Sequence, residues 1–178
     1  MLIANQKRHE NIAEYILYMW QIEDIIRACN FDINLIEKRI ISQYSGTART
    51  MNEVKEWYVD LILMMHEENV KSHGHLKLVM KYVQELQKLH SQLLHNKEQR
   101  YLEIYYLAMP NIREFEKRLN GKTSGDIETC LDGVYALLLL RLQKKEVSKE
   151  TLEAMQTFSN LLALLSAYFK KQEEIRGK

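Results

Sequence analysis

The sequence predicts an all-α, single-domain bundle of six or seven helices with antiparallel helical hairpins, and three observations carry the prediction. One proline and six glycines stand in 178 residues, and these two residues are the strongest local breakers of regular structure. Between the breaks, apolar residues recur in steps of three and four, the spacing of one helix face. Ser, Thr and Asp stand where those stretches begin, as N-caps do. Gly46, Gly74, Gly121 and Gly125 fall between helical stretches, Gly177 lies at the tail, and only Gly133 falls inside one.

The first helix is predicted over about 6–28, with Ile12, Ile16, Met19 and Ile26 on one face and Trp20 beside it. Asn30-Phe31 breaks it. Asp32 then caps a short helix reaching about Tyr44, striped by Ile33, Ile36, Ile40 and Ile41. A capping box, Thr50-x-x-Glu53, opens the third helix. Its seam is Met51, Val54, Tyr58, Leu61 and Met65, and it ends near Lys71 with Gly74 as a left-handed cap. The fourth helix carries Leu76, Val79, Val83, Leu86, His90 and Leu93. The short joint makes these two an antiparallel hairpin. His95-Asn96 marks a break or bend, Pro110 ends or kinks the next stretch, and 111–119 is a further segment.

Asn120 to Gly125 is the clearest loop. Asp126 caps a helix to about Lys145, and Ser148 caps one to about Glu174. Val134 through Leu140 is apolar apart from one phenol. A helix apolar on every side belongs in the middle of a bundle or across a subunit interface. Gly133, inside it, costs about 1 kcal/mol against alanine, and close approach of a neighbouring backbone is one reason to keep it.

Length and composition suit one domain spanning 1–178. A chain of this size buries roughly 70% of its unfolded surface. The 46% hydrophobic and 28% charged content is that of a globular chain. The net charge of +1 is spread over both halves, so the basic footprint of a nucleic-acid binder is missing. Cys29 and Cys130 stand far apart without a C-x-x-C, which gives no thiolate metal site and favours a cytoplasmic protein. No signal peptide and no run long enough for a membrane span is read.

The six histidines give no helical metal motif. His66-Glu67-Glu68-Asn69-Val70 begins like H-E-x-x-H but ends on valine, and no histidine follows Glu at three residues. No metal or cofactor is expected. His90 is the most interesting histidine. Hairpin register sets it opposite Trp57, with Glu53 and Glu56 a turn away, so Glu53, Glu56, Trp57 and His90 form a candidate ligand pocket. A core histidine bonded to one acid and stacked on an aromatic ring is the favoured alternative. Gly121-Lys122-Thr123 ends like a phosphate loop, but Glu116 stands where its first glycine belongs.

Tyr101 and Tyr105 follow Lys97 and Arg100, and basic residues among aromatics can stack RNA bases. The intervening acids and the i, i+4 tyrosine spacing make core packing the better reading. The first helix carries more aromatic surface than one stripe buries. Tyr15, Tyr18 and Trp20, with Gly133, Leu137 and Leu165 from the apolar C-terminal pair, are therefore expected at a protein interface. The expected function is a non-enzymatic interaction module, a homo-oligomer or one with a protein partner. A ligand binder or enzyme at the His90 pocket is second, and RNA binding third.

The stretch from Asn5 to Ala28, NQKRHENIAEYILYMWQIEDIIRA, resembles the start of an uncharacterised family found mainly in Bacteroidetes and catalogued as a domain of unknown function. The resemblance covers essentially the whole chain. It implies a bacterial, cytoplasmic, all-helical protein and transfers no site residue.

Overall fold

A computed structural model describes residues 2–119 and 125–177, and the side chains from Ile3 onward within them. Among the described residues there are eight α-helices and no strand. They are α1 (Leu2–Glu10), α2 (Ile12–Ala28), α3 (Ile33–Arg39), α4 (Ala48–Glu67), α5 (Lys77–His95), α6 (Gln99–Arg118), α7 (Asp126–Leu142) and α8 (Lys149–Arg176), with a 3-10 turn at Ile41–Gln43. The predicted Gly121-Lys122-Thr123 phosphate-loop lookalike lies outside the described residues.

The count of eight corrects six or seven, and the extra break is at Asn11. Its side-chain oxygen accepts the Ala13 amide at 3.1 Å, so α2 begins there with an asparagine cap. Pro110 has the opposite outcome. It stands inside an unbroken α6, with its ring on the exposed side. Ala108 and Ile112, on either side of it, are wholly buried. Their burial holds the helix through the one missing amide bond.

Local chemistry decides the other ends. Asp32 accepts from Asn34 N and Ser148 from Thr151 N, each as a predicted cap. Thr47 caps α4 by accepting from Thr50 N, so Thr50 lies inside the first turn and no capping box forms. Glu53 pairs with Arg49 instead. Asp126 is the first residue of α7 and its side chain turns to other helices. The α4 terminus is closed by Asn69 at φ 58, with Val70 N donating to Met65 O at 3.1 Å. That is the left-handed cap expected of Gly74, which takes φ 81 further on in the joint. Lys97 and Lys144 close α5 and α7 in the same way, at φ 54 and 55.

The chain divides into two compact units, Met1–Arg8 with Glu14–Lys81, and His9–Ala13 with Tyr82–Lys178. In the first, Ile16, Ile26, Ile36, Tyr58, Leu61 and Met65 are essentially fully buried. In the second, α8 touches both α6 and α7. Its stripe of Met155, Phe158, Leu162, Leu165 and Phe169 is the core.

Sequence pattern placed α7 in the middle of the bundle or across a subunit interface. Only its first half is deep: Ile127, Cys130 and Leu131 are wholly buried, Leu138 to Leu140 are half-buried, and Leu142 is 68% exposed. A helix lined with leucine on all sides still presents one face to α8. Gly133 sits on that face. A Cβ there would meet the Phe158 ring at 2.8 Å and Met155 Sδ at 3.1 Å. The close neighbour is thus a ring rather than a backbone.

Two stability outcomes follow from these contacts. Gly133→Ala gains about 1 kcal/mol of helix propensity but overpacks against a ring that is itself walled in, a loss of about 1–3 kcal/mol. Urea unfolding is expected to show a net destabilisation. Lys144→Gly relieves a left-handed backbone and is expected to stabilise by about 1 kcal/mol in the same assay.

Candidate functional site

Two polar clusters stand out, one in each unit, and each begins at a helix end. The first four amides of a helix lack intrahelical acceptors. At α5, Leu76 N donates to Glu23 Oε1 at 3.1 Å and Lys77 N to Glu68 Oε2 at 2.7 Å. Glu23 is wholly buried in α2. A carboxylate without a proton only accepts, so His75 Nδ1 donates to Glu23 Oε2 across 2.6 Å. The His75 ring stacks on Trp20 at 4.2 Å and 15°. Arg27 closes the group by donating to Asp24 Oδ1 and to the carbonyls of Val70 and Gly74. A buried charge is tolerated because it is paired and bonded.

In the second unit the α7 N-terminus uses Gln87. Ile127 N donates to Gln87 Oε1 at 3.1 Å, and a Cβ on Gly125 would meet that oxygen at 2.6 Å. Glycine before α7 therefore makes room for a cap supplied by α5. Beside it, Arg113 donates to Asp126 Oδ1 at 2.7 Å and to Oδ2 at 3.1 Å. The Tyr105 hydroxyl donates to Oδ2 at 2.7 Å. His90 Nε2 lies 3.7 Å from Oδ2, while its Nδ1 shares a 2.7 Å hydrogen bond with the Tyr101 hydroxyl.

Burial alone would raise the Asp126 carboxyl. The nearby His90 ring and the hydrogen bonds of Arg113 and Tyr105 outweigh it and hold Asp126 well below the usual carboxylate range. Burial, then the bond to Asp126, pushes the Tyr105 phenol up to about 12. Burial also raises the Cys130 thiol, so it stays protonated. The result is a charged clasp joining α5, α6 and α7.

His90 is 3% exposed and takes its partners from α6 and α7, packed edge-on to Tyr101 and Tyr105. Glu53, Glu56 and Trp57 belong to the first unit. There Glu53 pairs with Arg49, Glu56 accepts from Asn52, and Trp57 packs on Tyr58. Tyr101 is 0% exposed, so it has no ring face for an RNA base, and Tyr105 is held by Asp126. Trp20 and Leu165 have side chains buried to 1% and 0%, and Tyr15 is buried too. Tyr18 is half-buried.

Gly133 and Leu137 line a groove of about 350 Å³ between α6, α7 and α8, with Phe115, Ala136 and Leu140. Among the described residues no group of three or more His, Cys, Asp or Glu side chains is placed to hold a metal. No described helix is long and apolar enough to cross a membrane.

Sequence reasoning singled out neither Glu23, Gln87, Arg113 nor Asp126 as site residues. Their partners lie up to 53 residues away. A lone acid inside an apolar helical face, as Glu23 is, was the available signal.

These features define an all-helical protein whose polar clusters tie helix ends together. The family follows from the sequence as a whole: the family model described as a domain of unknown function (DUF4924) matches residues 1–175, and the chain belongs to that family. No curated protein and no solved structure matches it.

The clasp has a defined pH dependence. A carboxyl depressed in the folded state adds stability above its unfolded value of about 4 and loses it as pH falls toward the folded value. Asp126→Asn is expected to cost about 2 kcal/mol at pH 7. The gap between the urea curves of variant and wild type is expected to narrow between pH 7 and about pH 3, and to close only as pH approaches the folded value. An equal gap at both pH values would contradict the clasp.

Proposed function

We propose that the chain is a single-domain, non-enzymatic helical module of the cytoplasm that associates with a second copy of itself. The observation that carries this reading is the uncovered C-terminal half of α7. Ala136 is exposed, Leu138 to Leu140 are half-buried and Leu142 is 68% exposed. Contiguous apolar surface of this kind marks interaction sites. The groove lined by Gly133, Leu137 and Leu140 lies on the same helix.

In this reading α7 and α8 pair as an antiparallel hairpin. The short Gln143–Ser148 link and the seating of Gly133 against Phe158 and Met155 support it. Of the six interface residues expected, Gly133 and Leu137 are buried themselves and form the floor of that groove, and Tyr18 is half-buried in the first unit. Exposed ions near the groove, such as Glu114 paired with Arg118 and Lys149 with Glu153, supply a polar rim.

Light scattering coupled to size exclusion tests the reading across a concentration series. The wild type is expected to run as a dimer. Ala136→Glu, a change at an exposed helix position, is expected to give a folded monomer. A wild type that stays monomeric throughout would overturn the proposal.

A further inference from the structure

The first unit holds a pocket of about 410 Å³, lined from α1, the Tyr44–Ser45 segment and the start of α4. Met51, Val54 and Tyr44 give it apolar surface, and Ser45 and Thr50 give it hydroxyls. Glu53 is its one charged side chain among the described residues that line it. The volume is that of a small-ligand site, about 300–1,000 Å³. A surface so lined has an acid and no base, which decides the sign of its ligand.

Glu53 is available. Its partner is Arg49 Nε at 3.1 Å, with side chains 59% and 90% exposed. An exposed pair of that kind holds weakly and exchanges readily. Tyr44 is half-buried and lines the pocket beside Ser45. A phenol ring in the same pocket as a carboxylate with a replaceable partner suits a cation with an apolar body.

We propose that this pocket binds a small organic ammonium. Its cationic head replaces the Arg49 guanidinium at Glu53 and donates to the Thr50 or Ser45 hydroxyl oxygen. Its hydrocarbon lies against Met51 and Val54, within reach of the Tyr44 ring. An anion of the same shape meets Glu53, and the one base beside it, Arg49, is outside the pocket lining and already paired with that carboxylate. The site is independent of the α7 surface, so loss of dimerisation leaves it unchanged.

The test uses three probes of one shape: 2-phenylethylammonium, 2-phenylethanol and 3-phenylpropionate. Each is titrated into full-length protein carrying labelled methionine methyls, read by NMR. The ammonium is expected to shift the Met51 methyl saturably, and Glu53→Gln to weaken that binding about tenfold while leaving 2-phenylethanol unaffected. If the alcohol or the carboxylate saturates Met51 as well as the ammonium does, or Glu53→Gln keeps the ammonium affinity, the proposal fails.

Discussion

Helix ends that are satisfied from elsewhere in the chain are the constraint on which the rest of this structure depends. A chain with one proline and six glycines makes long helices easily and ends them with difficulty, because each terminus leaves amides or carbonyls unmet. Here the answer is long-range. Glu23 reaches the start of α5 from α2, Gln87 reaches the start of α7 from α5, and Ser166 of α8 lies 3.3 Å from the Ala13 amide at the start of α2. The first two bonds meet orphan donors, the third shares an amide that Asn11 already caps, and all three fix one helix against another. The hydrophobic stripes give the energy of packing.

This constraint separates what could be read from the sequence from what could not. Asp32 and Ser148 were legible because an N-cap and its amide are two or three residues apart. The break after His95 was legible from the shift in apolar stripe. Thr47 lost to Thr50 because both have the right chemistry, and only Thr50 has a glutamate three residues on. Left-handed ends were sought at glycine, whereas Asn69, Lys97 and Lys144 adopt them. Two lysines in that conformation carry no local signal. The partners of Glu23 and Gln87 were not legible for a different reason, since their acceptors serve amides 53 and 40 residues away. Of the two places the sequence allowed for α7, the middle of a bundle or an interface, only its first half is deep, with Ile127, Cys130 and Leu131 wholly buried. What matters in a core is a stripe that interlocks, and Phe158 against Gly133 does so.

The same logic recasts the histidines. His90 was the expected centre of a pocket, yet it is enclosed by Tyr101, Tyr105 and Asp126 and helps to hold a helix end. His75 does the matching task in the first unit, on the buried Glu23. Both are positioned by charge and by aromatic packing, and neither opens onto one of the described cavities. The surfaces proposed for function, the open half of α7 and the pocket at Glu53, are ones that the joints do not use. Family membership places the chain among proteins described as a domain of unknown function, so chemistry on the surface carries the functional argument.

Amide hydrogen exchange of the native protein, resolved to single residues, tests the central claim most directly. Amides in the first turn of a helix ordinarily exchange fast, because no intrahelical acceptor protects them. The account predicts slow exchange at Leu76, Lys77 and Ile127, comparable to amides in the middle of α5 and α7. It predicts that Gln87→Ala strips the protection from Ile127 and leaves that of Leu76 in place. Fast exchange at all three sites in the wild type would contradict it.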